Sequence, residues 1–475
     1  MDRRNFLKTS LYSIGGVAAA TAGSAVVTPL VCRETMCFDP NTSFWALAHS
    51  METPSLSENI RVDMAIIGGG LTGLFAAYHF AGLFPQMKII LLEARQVGHG
   101  ASGTNGGMIL PQTPNESFEI SDDENTHKYV YEITAQAIKE LQALVMAEGN
   151  GCDLILDGFL HTVRKEEEID YYEEYVEKAN RLGLPLEFLT NKETADEIGT
   201  SVYYGSVYDP NGGQVHPMKL IHLMKKAVLK KGVTIFENSP VFSIEEGKTV
   251  HLTVCEQQYQ VRAGNIILAT DAYTSKLSYF KNGIIPIHTQ CAITKPISQK
   301  KLSQTGWKSR LPYFDSQNEL FHLILTPDNR ICIGGGNAEY FFNNGNHYQG
   351  DLNHVASLLG TELARIYPVF SDIGFESVWN GILGMTLDGE PTVGVTSRHQ
   401  NIYYALAYNG QGIAMTYLFG KIMADIFKGK KSTWENSPFY CHPIPFLPPE
   451  PLRWIGTKLA LSYYRYIDQK KDYHR

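Results

Sequence analysis

The clearest pattern of apolar positions in the chain lies between residues 62 and 93. Residues 62–67 (VDMAII) form a short apolar run with β-branched residues, which predicts a buried parallel strand. Residues 74–81 carry apolar side chains at helical spacing. Residues 88–92 (KIILL) predict a second buried strand that ends at Glu93. The alternation of strand, helix and strand predicts a βαβ unit.

A glycine turn separates the first strand from the helix. In the sequence G-x-G-x-x-G, Gly68 permits a tight turn, Gly70 lets the backbone approach a pyrophosphate, and Gly73 lets the helix pack closely on the strand. The start of the helix then presents free N–H groups and a partial positive charge to the diphosphate. Glu93 lies twenty residues beyond Gly73, where a carboxylate can accept hydrogen bonds from ribose hydroxyls. The unit predicts a dinucleotide site without separating NAD from FAD.

The pattern beyond this unit is mixed. Residues 134–147 have helical periodicity, and residues 152–163 and 203–208 have the pattern of strands. Residues 284–297 and 320–333 predict antiparallel pieces, the second with a turn at 326–329. These runs predict an antiparallel sheet apart from the βαβ unit.

The N-terminus has the pattern of an export signal. Residues 1–8 read MDRRNFLK, with Arg3 and Arg4 before an apolar, small-residue stretch from 11 to 31. This arrangement resembles a bacterial twin-arginine signal, so we expect export to the periplasm. An uncleaved N-terminal membrane anchor is the alternative. Ser, Thr and Gly interrupt the stretch, which makes it a weak permanent span.

Composition and cysteine usage add little that is specific. The 475 residues are 44% hydrophobic and 19% charged, with a formal net charge of −8, which gives no electrostatic case for nucleic acid. The seven cysteines form no CxxC pair, and no His/Cys cluster has zinc spacing, so no metal site is predicted. Cys32 and Cys37 are close enough to pair, although scattered small hydrophobes are the simpler interpretation.

A second glycine-rich segment decides between the cofactors. Residues 100–107 read GASGTNGG, where an NAD enzyme normally continues into another helix. Here the chain resembles the D-amino-acid-oxidase-like (DAO) flavoproteins, most closely the γ-glutamylputrescine-oxidase-like branch. The resemblance extends to residues 43–45, 212–217, 265–270, 379–381 and 408–413 and to the proline-rich tail at 443–453. It implies FAD, with NAD alone as the competing cofactor.

The resemblance also implies site residues. In this family the loop and helix start at 408–413 close over the isoalloxazine ring, and Val241 meets the adenine side. We expect non-covalent FAD to be held by Gly68, Gly70, Leu71, Thr72, Gly73, Glu93, Ala94, Arg95, Ala101, Ser102, Asn105, Gly106, Val241, Ala269, Thr270, Gly381, Gly410, Gln411, Gly412 and Ile413. Three residues depart from the family pattern: Thr104 replaces a usual Arg, Asp271 a usual Asn, and Gln411 a frequent His.

The implied fold class is α/β, a Rossmann-type FAD-binding domain with an inserted antiparallel-sheet substrate domain. We expect a signal segment at 1–31 and a lead-in at 32–60. The divided FAD domain is expected at 61–115, 205–280 and 375–430, the substrate domain at 116–204 and 281–374, and an arm with a helix at 431–475.

The implied reaction is oxidation of a C–N bond in a small amine or amino acid by hydride transfer to flavin N5, giving an imine that hydrolyses. Candidate catalytic residues are His322, as acceptor of the ammonium proton because an unperturbed imidazole titrates near neutrality, and Tyr408. A core or surface histidine and a packing tyrosine are the competing interpretations. Phe321 and Tyr340 are further candidates for the pocket wall, and because Phe321 and His322 are adjacent on one strand, only one of them can face the flavin.

Three basic residues have weaker cases. Lys295 is a candidate for oxygen activation, but a solvated lysine is the simpler interpretation. Arg330 is a turn residue without a clear carboxylate-binding role. His99 falls where this branch usually has an aromatic residue, so a covalent flavin link is not expected.

Several functional alternatives stay open at this level. The electron acceptor is oxygen, or a quinone or other carrier. A C–OH substrate and a non-catalytic flavin-binding subunit are competing functions. The acidic stretch 116–124 is a solvated loop or a filter for basic ligands. Tyrosines and Trp454 of the tail suggest peripheral membrane contact as an alternative, but the few basic groups there do not favour it.

Overall fold

The computed structural model describes residues 42–47, 52–111, 123–256 and 258–472. The predicted signal segment, Cys32, Cys37 and most of the acidic stretch lie outside the described residues. Within the described ranges, no helix combines the length and apolar character needed to cross a membrane.

Strands and helices alternate along the chain, as in an α/β protein. The strands are β1 (Ile60–Ile67), β2 (Ile89–Leu92), β3 (Met108–Ile109), β4 (Phe159–Val163), β5 (Glu187–Thr190), β6 (Gly205–Asp209), β7 (Gly213–Gln214), β8 (Thr234–Phe236), β9 (Val241–Glu245), β10 (Val250–Val254), β11 (Tyr259–Leu268), β12 (Ile285–Thr294), β13 (Tyr313–Asp315), β14 (Phe321–Leu325), β15 (Ile331–Gly335), β16 (Phe375–Met385), β17 (Thr392–Thr396) and β18 (Ile402–Leu406). The α-helices are α1 (Leu71–Leu83), α2 (Ala101–Thr104), α3 (Glu124–Ala147), α4 (Ile169–Arg181), α5 (Asn191–Ile198), α6 (Pro217–Lys230), α7 (Gln299–Leu302), α8 (Leu352–Ile366), α9 (Gly412–Phe427) and α10 (Leu452–Asp472). Short 3₁₀ turns occur at Phe44–Leu47, Glu166–Glu168, Asp271–Leu277, Pro368–Phe370 and Lys431–Thr433.

The first sheet is the nucleotide-binding sheet predicted from the apolar runs. Its order is β17-β18-β11-β1-β2-β8, with β10 and β9 attached beside β11. The strands β18, β11, β1, β2 and β8 pair in parallel. Because the carboxyl ends of parallel strands share one edge, the residues that follow them converge on the crevice where α/β folds bind ligands.

Helices α1 and α9 pack side by side on this sheet. Gly420 permits their close approach, since a Cβ at that position would lie 2.8 Å from the backbone nitrogen of Ala76. The two helices start after different strands, but both begin at the same edge of the sheet. Their N-termini are therefore brought together although 341 positions separate Leu71 from Gly412.

The second sheet has the order β16-β12-β15-β14-β13-β4-β6-β5 and is antiparallel except for the pair β13–β4. This confirms the predicted fold class. Two segments that we assigned to the FAD domain, 205–280 and 375–430, begin with β6 and β16, which are strands of this second sheet. An apolar strand pattern does not specify its pairing partner, so these boundaries had no signal in the sequence.

The C-terminal arm and α10 close one side of the second sheet. Arg465 Nε donates to Glu319 Oε2 at 2.9 Å, and the Asp468 carboxylate accepts from the backbone nitrogens of Asn318 and Glu319. Seven of the eleven large hydrophobic side chains exposed in the described residues lie on or beside this arm; they are Phe342, Phe446, Leu452, Trp454, Ile455, Leu459 and Tyr466. Peripheral membrane contact of this tail stays an alternative that the sequence does not favour.

Candidate active site

One large cavity of about 880 Å³ runs between the two sheets. It lies at the upper end of the 300–1,000 Å³ typical of ligand pockets. At one end its wall includes Glu93, Arg95 and Val241, and at the other it includes His322 and residues of α10. Both glycine turns line it between these ends.

The first turn is built for close backbone packing. Gly68 has φ +110°, and a Cβ there would lie 2.4 Å from the carbonyl oxygen of Ala269. A Cβ at Gly73 would lie 2.0 Å from the carbonyl oxygen of Gly68, so the helix contacts the turn directly. Glu93 orders this backbone: Oε2 accepts from Gly69 N at 2.7 Å and Oε1 from Arg95 N at 2.9 Å. Burial raises the pKa of Glu93, and these hydrogen bonds oppose the shift.

The first turn of α1 has no acidic residue and no side-chain cap from Gly70. The hydroxyl of Ser102 accepts from Leu71 N at 2.9 Å, and a Cβ at Gly70 would lie 2.8 Å from this hydroxyl. The missing Cβ at Gly70 therefore leaves room for the Ser102 hydroxyl, and the first turn of a helix presents further N–H groups that a ligand can bind.

The second turn repeats this arrangement at the start of α9. Gln411 is its N-cap residue without a side-chain cap, and the first turn again has no acidic residue. The hydroxyls of Tyr408 and Thr72 lie 2.8 Å apart, so the two helix starts are joined directly. An N-terminus in this position stabilises negative charge that develops on a nearby ligand.

The glycine-rich loop at 100–107 is fixed from outside by three side chains. Ser43 Oγ donates to Gly103 O at 2.7 Å, Trp45 Nε1 to Asn105 O at 2.9 Å, and Trp379 Nε1 to Thr104 O at 2.8 Å. The lead-in residues and β16 therefore clamp the same loop, a role that the sequence resemblance did not reveal.

The hydrogen bonds of Asp271 explain why an aspartate stands where the family usually has an asparagine. Its Oδ1 accepts from Ala407 N at 2.8 Å and its Oδ2 from Gly384 N at 3.0 Å. Both of its oxygens are therefore acceptors, whereas an Asn amide offers one acceptor atom and one donor. Burial raises the pKa of Asp271.

Nearly all predicted cofactor residues line the one cavity. These are Gly68, Gly70, Leu71, Thr72, Glu93, Ala94, Arg95, Ala101, Ser102, Asn105, Gly106, Val241, Ala269, Thr270, Gly381, Gly410, Gln411, Gly412 and Ile413. Gly73 lies beneath the turn instead, where it packs on Gly68.

The candidate catalytic residues lie in the same cavity with different surroundings. His322 is only partly buried, and a Cβ at Gly106 would lie 2.3 Å from its Nε2. The imidazole therefore touches the glycine-rich loop. Phe321 packs on the other side of the strand in the core of the second sheet, so the expectation that only one of the two faces the cavity agrees with the geometry. Tyr408 lines the cavity, but its hydroxyl is engaged with Thr72.

Four further candidates differ in position. The hydroxyl of Tyr340 bonds to Asn344 and Glu450 outside the cavity lining. Lys295 is exposed just beyond β12. Arg330 is engaged with Asp328, Glu376 and the Thr294 carbonyl. His99 lies on the cavity wall, where its Nε2 is 3.0 Å from Arg95 Nη1.

Sequence reasoning missed several polar residues of the wall, and three of them are chemically notable. Cys291 lies beside His322, with Sγ 3.8 Å from Nε2. Glu319 lines the cavity, and burial raises its pKa against the effect of Arg465. Arg453 is 5% exposed and bonds to Pro448 O, Asn344 Oδ1 and Asn282 Oδ1. All three lie on separate segments, and only the tertiary fold brings them together.

The residues present fit FAD. The cavity is lined by the Glu93 carboxylate, by two helix N-termini whose N-cap residues make no side-chain cap, and by glycine positions without side chains. These are the features that a diphosphate-containing dinucleotide requires. FAD would be held by Glu93 at the ribose, by the start of α1 at the diphosphate, and by the 100–107 loop and the start of α9 at the flavin. No group of three or more potential metal ligands occurs within the described part of the chain.

Comparison with known proteins agrees with this geometry. A family model described as "DAO: FAD dependent oxidoreductase" matches residues 63–426. The chain is 26% identical to gamma-glutamylputrescine oxidoreductase of Escherichia coli over 440 residues, which cover 90% of this chain and 98% of the relative. It is 23% identical to glycine oxidase of Geobacillus kaustophilus, covering 80% and 96% respectively.

Solved structures show the same fold. The crystal structure of glycine oxidase from Geobacillus kaustophilus superposes with a TM-score of 0.69 at 21% identity, covering 81% of this chain and 99% of that one. L-proline dehydrogenase from P. horikoshii gives 0.66 at 18% identity, covering 81% and 96%. The family cofactor is FAD, so NAD alone is not supported, and the chain belongs to the DAO family of FAD-dependent oxidoreductases.

Proposed function

We propose that this protein oxidises the C–N bond of a small amine or amino acid. The observation that carries the proposal is the continuous cavity, in which the residues that suit FAD run directly into a chamber walled by His322. Relatives named for oxidation of γ-glutamylputrescine and glycine support the same chemistry. When bound, FAD supplies the two-electron acceptor.

His322 is the residue that we assign to proton transfer. A substrate ammonium must lose a proton before its Cα–H is transferred as hydride, and an imidazole is the side chain that most often serves as general base in such a step. Its contact with Gly106 places the ring beside the loop expected to hold the flavin. Tyr408 has a positioning role in this scheme, because its hydroxyl holds Thr72 at the start of α1.

The chamber wall favours an amino acid over a plain amine. Arg453 has five N–H donors, and its three hydrogen bonds go to neutral oxygens. A buried guanidinium that bonds to no carboxylate among the described residues suits a substrate carboxylate. Leu461 and Tyr464 of α10 also line the chamber.

An anaerobic screen tests the proposal. The FAD-loaded protein is mixed with matched pairs of amino acids and their decarboxylated amines, and flavin absorbance is followed. We expect bleaching with at least one amine or amino acid. Bleaching only with hydroxy acids or polyols would favour the competing C–OH reaction, and no bleaching with any substrate would favour a flavin-binding subunit.

Variants of two cavity histidines separate chemistry from packing. We expect His322→Asn to slow bleaching by about 10²–10⁴-fold, the usual contribution of general acid–base catalysis. His347→Asn is the matched control, since His347 also lines the cavity but is exposed. Equal rates for the two variants would contradict the role of His322.

Two further parts of the proposal concern the setting. We propose export through a twin-arginine-type signal at residues 1–31, tested by fractionation of cells that express the wild type and an Arg3→Lys, Arg4→Lys double variant. We propose oxygen, rather than a quinone or other carrier, as the electron acceptor. Stoichiometric peroxide during turnover supports it, whereas turnover that needs a quinone would replace it.

A further inference from the structure

Cys291 and His322 meet across a glycine. In the second sheet, Gly334 of β15 pairs with Cys291 of β12 on one side and with His322 of β14 on the other. A Cβ at Gly334 would lie 2.7 Å from Cys291 Sγ and 2.4 Å from His322 Cε1. The missing side chain therefore lets the thiol and the imidazole approach, and Sγ lies 3.8 Å from Nε2.

A second thiol supports the first. Cys332, two residues before Gly334 on β15, is fully buried behind the cavity wall. Hydrogen bonds from Cys332 and from His322 lower the pKa of Cys291, although burial opposes the shift. Cys152 has no such partner among the residues that the structure describes, and burial raises its pKa to about 11.

Cys291 is also placed where a reactant arises. It lines the cavity, and the imidazole beside it touches Gly106 of the loop expected to hold the flavin. Cys441 is exposed, but it does not line the cavity. A thiol with an imidazole partner inside an active site is the environment in which cysteines become reactive.

We propose that Cys291 and His322 form a nucleophilic thiol–imidazole pair and that Cys291 is a site of reversible oxidation by hydrogen peroxide. The Cys291 thiolate attacks one peroxide oxygen, forming an S–O bond as the O–O bond breaks. The sulfur is oxidised by two electrons to a sulfenic acid, and the peroxide is reduced. The His322 imidazolium gives its proton to the departing hydroxide, so the net change converts a thiol and a peroxide into a sulfenic acid and water.

This pair is compatible with proton transfer from the substrate. The pair can exist as thiol with neutral imidazole or as thiolate with imidazolium, and these forms differ only in the position of one proton. Either form can therefore accept one further proton from the substrate ammonium. The inference rests on the proposed function in one respect only, which is that amine oxidation with oxygen as acceptor is the natural source of the peroxide. Added peroxide tests the site without any amine substrate, so failure of amine oxidation and failure of this inference give different results.

The test uses the FAD-loaded full-length protein with added hydrogen peroxide and dimedone, which traps sulfenic acids. Peptide mass spectrometry compares the labelling rates of Cys291, Cys441 and Cys152 in the same molecule. We expect Cys291 to be labelled first and Cys152 last. Faster labelling of the exposed Cys441 would overturn the proposal, and this comparison needs no variant.

Variants then test the partner. Without the imidazole the pKa of the Cys291 thiol rises, so a smaller fraction of it is thiolate, and the greater nucleophilicity of a more basic thiolate recovers only part of this loss. We therefore expect His322→Asn to slow labelling of Cys291 by about tenfold while labelling of Cys441 is unchanged. An unchanged Cys291 rate in a variant that still binds FAD would show that the imidazole has no part.

Discussion

Glu93 offers the sharpest single test of how the cavity holds its cofactor. Its two carboxylate oxygens accept from Gly69 N at 2.7 Å and Arg95 N at 2.9 Å, and the side chain lies at the predicted ribose end. In Glu93→Gln the amide keeps one acceptor oxygen and turns a donor toward the other N–H. The variant therefore loses one backbone bond and the charged acceptor for the ribose.

The magnitude follows from these bonds. Hydrogen bonds to a charged group contribute about 1.5–3 kcal/mol each. Loss of the charged ribose contact therefore raises the dissociation constant of FAD by about 10–150-fold, at about 1.4 kcal/mol per factor of ten. The lost backbone bond lowers stability with and without FAD and contributes little to this ratio.

The assay is titration of apoprotein with FAD, followed by the change in flavin fluorescence. Asp351→Asn is the matched control, because Asp351 Oδ1 also accepts from a backbone nitrogen, Asn353 N at 2.8 Å, but does not line the cavity. An FAD affinity of Glu93→Gln within about threefold of the control would refute the ribose assignment.

Three further variants probe other parts of the molecule. Tyr408→Phe leaves the Thr72 hydroxyl without its 2.8 Å partner, so we expect a loss of about 1 kcal/mol in unfolding free energy, measured in urea, with kcat changed less than about threefold; a large fall in kcat would restore a catalytic role. Arg453→Gln should raise KM for an amino acid more than for its decarboxylated amine, by about tenfold in the ratio, and an unchanged ratio would remove the carboxylate contact. Glu237 accepts from buried Lys225 Nζ at 2.9 Å, and although burial opposes it, bonds from Lys225, Val97 and Thr53 lower its pKa. Glu237→Gln should therefore cost about 3–5 kcal/mol at neutral pH, and denaturation curves should show the wild type losing this advantage as pH falls below about 4.3; a pH-independent difference would contradict the pair.

The sequence was most informative where the structure is local. The glycine turn at 68–73, its flanking strands and Glu93 occupy about thirty consecutive residues, so their spacing alone predicts the βαβ unit. The same holds for the hairpin of β14 and β15, whose turn residues are visible at 326–329.

Long-range pairing had no comparable signal. Strands β6 and β16 belong to the second sheet, although we assigned their segments to the FAD domain. The sequence could not indicate this, because an apolar strand pattern fits either sheet. The contact between Cys291 and His322 depends on register across three strands and on a glycine between them. Arg453 reaches the chamber because the arm folds back on the loops that contain Asn282 and Asn344. None of these placements follows from neighbours along the chain.

The most direct measurement of the central claim is the amount of FAD that the folded protein binds and releases. The protein is purified, its visible flavin spectrum is recorded, and it is denatured and filtered. If the N-termini of α1 and α9 bind the same FAD molecule without a covalent bond, the folded protein is yellow. About one FAD per chain then appears in the filtrate after denaturation. A colourless protein that takes up no FAD when it is supplied would contradict the account.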